Sequence, residues 1–235
     1  MLQALFRTAR SVYSAVRRFS GDVFFERTMG IETSRSVALH ELGLAATDRV
    51  DYDPSPWLAL KRILPKRDVA KEDVFIDFGC GKGRVVVQAA MYPFLKVIGV
   101  ELSSELHAIA RNNVDRSLAR LRCKNVELVN RDVLDYEIPD EVTIAYFYNP
   151  FGGETFSAVI DRLVASVRRR PRLLRIIYVN PVEEQTVLRA GATLTRAVLG
   201  VRPGTQWARQ KSISMYALQP SATALAVAPA PPTGG

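Results

Sequence analysis

The pattern of apolar and polar positions changes character three times along the chain. Over residues 1–20, Leu2, Leu5, Phe6, Val12, Tyr13, Val16 and Phe19 recur at roughly helical spacing, with Arg7, Arg10, Arg17 and Arg18 between them. This predicts a basic amphipathic helix. Its plainest role is to cover an edge of the main domain, and the alternatives are a lid over a site or a contact with a membrane surface. Residues 21–50 read as helical and polar. In Tyr52-Asp53-Pro54-Ser55-Pro56-Trp57-Leu58, Ser55 before Pro56 predicts a helix start, with serine as the cap and proline in the first turn. Leu58, Leu60, Ile63 and Leu64 continue that helix.

From Val74 the pattern becomes an alternation of strand and helix. Val74-Phe75-Ile76-Asp77-Phe78 is a near-continuous apolar run, as in a strand buried on both faces. A glycine-rich turn and a helix over Arg84–Met91 follow, then a second strand over Lys96–Val100. Ser103 or Ser104 caps a helix whose Leu106, Ile109, Ala110 and Val114 share a face. Further strands are expected over Val126–Val129, Val142–Tyr148 and Leu173–Val179, with a helix near 154–169. Repeated units of this kind predict an α/β fold, a doubly wound and mostly parallel sheet with helices on both faces. After Asn180-Pro181 a short helix near 183–189 precedes strands near 193–199 and 208–218, which suggests a closing antiparallel hairpin. Pro220 to Gly235 is low in complexity and expected to be disordered.

Composition narrows the function classes. With 48% hydrophobic and 24% charged residues, the 235-residue chain suits one α/β domain with additions. Its two cysteines, Cys80 and Cys123, make no disulfide framework, and with only His40 and His107 beside them no metal site is expected. A reducing, cytoplasmic setting follows. The net charge of +8 permits nucleic acid or an acidic surface as partner, without requiring either. No continuous apolar block long enough to span a membrane is expected, and the arginines of residues 1–20 interrupt any signal-peptide core.

The informative stretch is Asp77-Phe78-Gly79-Cys80-Gly81-Lys82-Gly83-Arg84. Glycines after a buried strand let the backbone turn tightly and approach a ligand, and the next helix opens with unpaired N–H groups. Glu101 ends the second strand, where a carboxylate can accept from both hydroxyls of a ribose. Asp132 follows the third strand and Asn149-Pro150-Phe151 the fourth, all at the edge where open α/β sheets bind ligands. The glycine spacing differs from the G-x-G-x-x-G of dinucleotide sites. Asp77 would repel a pyrophosphate but attract a ligand carrying a sulfonium and an ammonium group. The pattern therefore favours S-adenosylmethionine over a nicotinamide dinucleotide, and an NAD-dependent oxidoreductase is the rival enzyme.

With D-F-G-C-G-K-G-R at 77–84, V-I-G-V-E ending at Glu101, N-R-D at 130–132 and Y-N-P-F at 148–151, residues 74–151 resemble the core of the class I, Rossmann-like S-adenosylmethionine-dependent methyltransferases. The resemblance implies a seven-stranded sheet and S-adenosyl-L-methionine as cofactor. It places Asp77, Gly79, Gly81 and Gly83 against the methionine part, Glu101 on the ribose and Asp132 on the adenine. Tyr52 and Ser55 fall in a segment similar to one that closes over the cofactor in several such families. More loosely, this segment and the 73–86 region are similar to Rossmann-type protein-lysine methyltransferases. The implied organisation is a helical extension and closing segment over 1–65, the methyltransferase domain over 66–219, and the tail.

The acceptor is less plainly marked. Asn149-Pro150-Phe151 resembles the N-P-P-Y/F loop of enzymes that methylate amino and amide nitrogens, with the second proline missing and Gly152-Gly153 following. A nitrogen acceptor on a protein side chain or small molecule is favoured over nucleic acid. A strand-ending turn is the plain alternative for this loop, and a non-catalytic, cofactor-binding or membrane-associated module is the alternative for the chain. Cys80 reads as a small packing residue and Arg168-Arg169-Arg170-Pro171-Arg172 as a solvated basic loop.

Overall fold

Val74–Phe78 is buried at all five positions, and its alternate side chains enter two different cores. In a computed structural model that describes residues 23–37, 52–199 and 212–220, this strand, β1, lies inside a seven-stranded sheet of order β3-β2-β1-β4-β5-β7-β6, between β2 and β4. The other strands are β2 (Lys96–Glu101), β3 (Val126–Asn130), β4 (Ile144–Phe147), β5 (Leu174–Val179), β6 (Thr193–Val198) and β7 (Ile213–Leu218). β1 to β5 pair in parallel. β7 runs antiparallel to both β5 and β6, so the closing pair is present with β7 inserted between them. The edge strands β3 and β6 are the more exposed, and β7 is buried along its length.

The helices are α1 (residues 23–29), α2 (Ala59–Ile63), α3 (Arg84–Ala90), α4 (Ser104–Ser117), α5 (Gly153–Arg169) and α6 (Glu184–Arg189). Phe75 and Tyr146 point to the face packed by Leu60, Ile63, Val86 and Val87 from α2 and α3. Ile76, Phe78 and Phe147 point to the other face, against Phe156, Ile160 and Leu163 of α5. This alternation with two apolar faces is what a parallel sheet covered on both sides requires. It also puts Asp77 on the α3 face, opposite Gly99 of β2 and Tyr146 of β4.

Ser103 caps α4 as expected, accepting from Leu106 N at 3.2 Å. The Ser55-Pro56 expectation is corrected: α2 begins at Ala59, and Leu58, not Ser55, holds the cap position. Ser55 is engaged elsewhere, its Oγ by the Tyr146 hydroxyl and its carbonyl by Arg84, which keeps residues 52–56 extended along the domain. The basic helix expected over 1–20, part of the polar stretch 21–50, the start of the last strand and the tail beyond 220 lie outside the described residues. Among the described residues no helix is long and apolar enough to cross a membrane. Arg168 and Arg170 of the basic loop are exposed, but Arg169 forks onto Asp140 and Arg172 binds the carbonyls of Val142 and Ser166.

Candidate active site

β1 hands over to α3 through a turn in which Gly79, Gly81 and Gly83 all have positive φ, at 69°, 53° and 78°. The N–H groups of Gly79 and Cys80 both donate to Val100 O, fastening the turn across the end of β2. Two of the glycines are required by contacts within the chain. A β-carbon on Gly79 would stand 2.3 Å from Pro150 Cβ, and one on Gly81 would stand 2.1 Å from Tyr52 Cε2. The bend is therefore closed on one side by the β4 loop and on the other by the ring of Tyr52.

Between them lies a cavity of about 270 Å³ that takes in Tyr52, Ser55, Asp77, Gly79, Glu101 and Asp132, together with Asn149, Pro150 and Phe151. Glu101 faces the bend. Its Oε2 accepts from Gly81 N at 2.7 Å and its Oε1 from Ser103 N at 2.9 Å. The turn and the start of α4 thus aim one carboxylate from two directions, and each oxygen keeps lone pairs for a further donor. Asp77 is 4% exposed and accepts no hydrogen bond from a described residue. Burial, and then the charge of Glu101, hold its carboxyl well above the usual carboxylate range; burial raises Glu101 as well, against the amides that lower it. Two buried carboxyls at one strand edge, each ionising reluctantly, form a site that a cation would relieve.

The far wall comes from β4 and β5. Asn149 is held at φ 43°, and its Oδ1 is buried without a hydrogen-bond partner. A left-handed conformation is uncommon for any residue but glycine and is disfavoured further before proline. Tyr148 donates to Asp53 Oδ2 at 3.2 Å, and both border the cavity. Phe151 also borders it, but its ring packs edge-on against Phe147, 6.3 Å between centroids, so it is committed to the core.

A family model described as a methyltransferase domain matches residues 75–171. A curated protein-lysine N-methyltransferase of Saccharolobus islandicus is 27% identical over 99 residues, 42% of this chain and 60% of that protein. The chain therefore matches less than two thirds of that relative's length. The chain carries a class I S-adenosylmethionine-dependent methyltransferase domain. Its fold is shared with a predicted O-methyltransferase of Agrobacterium tumefaciens, at TM-score 0.53 and 17% identity over 72% of this chain and 82% of that one. It is also shared with a precorrin 8W decarboxylase of Methanobacterium thermoautotrophicum, at TM-score 0.51 and 19% identity over 69% and 91%.

The methyltransferase domain fits its cofactor on its own chemistry. Asp77, buried and unpartnered, would take the ammonium of the methionine part, and Glu101 the two ribose hydroxyls. Asp132, whose Oδ1 accepts from Leu134 N at 3.0 Å, borders the same cavity. Gly81 and Gly83, expected beside the methionine, do not border the cavity: Gly81 lies beneath Tyr52, and Gly83 abuts Ala110 of α4, 3.1 Å from its own missing β-carbon. Among the described residues no cluster of His, Cys, Asp and Glu could hold a metal.

Asp53 and Asn180 are polar wall residues that the sequence reading did not single out. Asp53 reaches the cavity because Ser36 and Tyr148 both donate to it. Asn180, at the end of β5, repeats the geometry of Asn149: it precedes a proline, stands at φ 53° and borders the cavity. The signal was there in two N-P pairs, each directly after an apolar strand.

Proposed function

We propose that this chain transfers the methyl group of S-adenosylmethionine to an amine nitrogen, carried by a protein side chain or a small molecule. The single observation that carries the reading is Asn149 Oδ1: a buried amide oxygen without a partner, held in a strained backbone at the edge of the cavity. Strain and an unsatisfied acceptor are both unfavourable, and they persist together where an incoming group compensates them. A nitrogen bearing N–H groups supplies the missing donor and is oriented as it does so. A carboxylate oxygen, which carries no donor, would leave Asn149 unsatisfied. The protein-lysine N-methyltransferase relative is in keeping with a protein acceptor.

Bound S-adenosylmethionine supplies an electrophilic methyl on its sulfonium. The chain's own work is to bring a nucleophile in line and exclude water. Glu101 and Asp77 fix the cofactor's two ends, Pro150 and Tyr52 narrow the bend, and Asn149 orients the nitrogen lone pair. The amine must shed a proton as the carbon–nitrogen bond forms, and the Tyr148–Asp53 pair on the same wall is placed to receive it. The two carboxyls disfavour the nicotinamide reading, because a pyrophosphate would add negative charge where none is neutralised.

The deciding experiment is incubation of the full chain with methyl-labelled cofactor and fractionated cell extract, with Asn149→Ala as control. The proposal expects label in protein or small-molecule amines, stable to mild base, and absent with the variant. Base-labile methyl esters, label in RNA, or no turnover with any fraction would overturn it, the last leaving a non-catalytic module.

A further inference from the structure

The cations of the glycine-rich turn, Lys82 and Arg84, sit beside a cavity that suits a cationic ligand, yet each is only 3% exposed. Lys82 does not border that cavity; Arg84 does, but it turns its donors to the chain upstream. Arg84 Nε donates to Thr33 Oγ1 at 2.7 Å, Nη1 to Ser55 O at 3.1 Å and Nη2 to Ser34 Oγ at 3.2 Å. Its guanidinium also lies 4.5 Å from the centre of the Trp57 ring and 3.5 Å from Glu26 Oε1. One side chain thus touches α1, the 31–37 segment and the 52–57 segment at once. Lys82 Nζ donates to Arg35 O at 2.8 Å, and Asn113 of α4 binds both Glu32 O and Lys82 O. Thr33 in turn accepts from the Tyr52 hydroxyl through its carbonyl, at 2.8 Å, and Tyr52 is the ring that closes the bend.

Arg84 is the first residue of α3, where the helix dipole disfavours a cation, and its burial adds to that penalty. A neutral helix former would serve α3 better. What the arginine provides is a planar fork whose donors match acceptors on two segments far apart in sequence.

We infer that Arg84 is a positioning residue: it clamps residues 31–37 and 52–57 onto the glycine-rich turn, and so sets Tyr52 and Ser55 as the wall that closes the cofactor half of the cavity. The inference concerns cofactor binding and stands apart from the nature of the acceptor. Lysine cannot replace the fork, because it offers donors from one nitrogen only.

The test compares the full chain with Arg84→Lys and with Thr33→Val, which removes the acceptor of Nε and leaves the cation. S-adenosylhomocysteine affinity is measured by calorimetry, folding by far-ultraviolet circular dichroism, and segment order by amide hydrogen exchange. Both variants are expected to keep native circular dichroism. Arg84→Lys should bind S-adenosylhomocysteine at least tenfold more weakly and Thr33→Val severalfold more weakly, with faster exchange confined to residues 31–37 and 52–57. In the unaltered chain the ligand should slow exchange there. Unchanged affinity despite faster exchange would show that the clamped segments do not serve the cofactor, and unchanged exchange would show that Arg84 does not hold them. Should Arg84→Lys fail to fold, Thr33→Val decides alone on the same two readouts.

Discussion

The ring of Tyr52 occupies the space in which a β-carbon on Gly81 would stand, 2.1 Å from its Cε2. The close approach that makes glycine necessary there is thus between two parts of the chain, and only through them does it concern the ligand. Gly81→Ala is expected to weaken S-adenosylhomocysteine binding at least tenfold by displacing the ring, and to destabilise the turn by about 1–2 kcal/mol because alanine is strained at positive φ. In a Tyr52→Ala background the same change should lose only the backbone part. A double-mutant cycle by calorimetry checks this, and additive effects would deny the contact its role.

Glu101 holds the turn to α4 and would hold the ribose. Glu101→Gln turns an acceptor into an amide donor facing one of the two N–H groups it now serves. Charge-assisted hydrogen bonds of this type contribute roughly 1.5–3 kcal/mol each. The variant should therefore bind S-adenosylhomocysteine at least tenfold more weakly. Titration calorimetry on folded protein reads this directly.

Asp77 sets a dependence on pH. Its carboxyl is raised in the ligand-free protein by burial and then by Glu101, and a bound ammonium would favour the charged form. Cofactor affinity should therefore fall as the pH drops through that raised value, with a proton released on binding. Calorimetry in buffers of different ionisation enthalpy detects the proton. The stability of the ligand-free protein runs the opposite way. A carboxyl whose folded value lies above its unfolded one favours folding below the unfolded value, and that contribution is lost as pH rises through the folded one. Asp77→Asn should thus bind the cofactor more weakly, lose most of the pH dependence, and melt at a higher temperature than the unaltered chain at neutral pH. Below about pH 4 the difference should vanish.

Asn149 separates chemistry from cofactor binding. Asn149→Gly keeps the left-handed backbone and removes only the amide. Methyl transfer should fall by about 10²-fold or more, the range seen when one positioned hydrogen-bonding group is deleted, while S-adenosylhomocysteine affinity stays within about threefold. A variant that lost both together would place Asn149 on the cofactor instead.

The sheet could be read in advance because β1, β2, β4 and β5 are apolar runs closed by Gly, Glu or Asn, and those closing residues are the ones that meet at the cavity. Glu101 and Asp77 were readable for the same reason: a charge at the end of an otherwise buried strand has few structural uses. Arg84 was not readable in its role, because its partners lie about 30 to 60 residues upstream and only folding brings them to it. Ser55-Pro56 misled for a related reason. The local preference for a helix cap is worth about 1 kcal/mol, and the hydrogen bonds from Tyr146 and Arg84, each made at distant positions, outweigh it. Asn180 was passed over since an N-P pair after a strand is commonplace, and its left-handed backbone leaves no trace in composition.

The Arg84 fork bears on where this protein may be cut. Residues 75–171 carry the recognisable family pattern, yet the guanidinium inside that stretch finds its acceptors at Thr33, Ser34 and Ser55. A fragment begun just ahead of β1 would keep Asp77, Glu101 and Asn149, yet lose Tyr52, Asp53 and Ser55 and expose a stranded cation beside an open bend. The smallest piece worth expressing starts upstream of α1, well before the region that sequence comparison alone would excise.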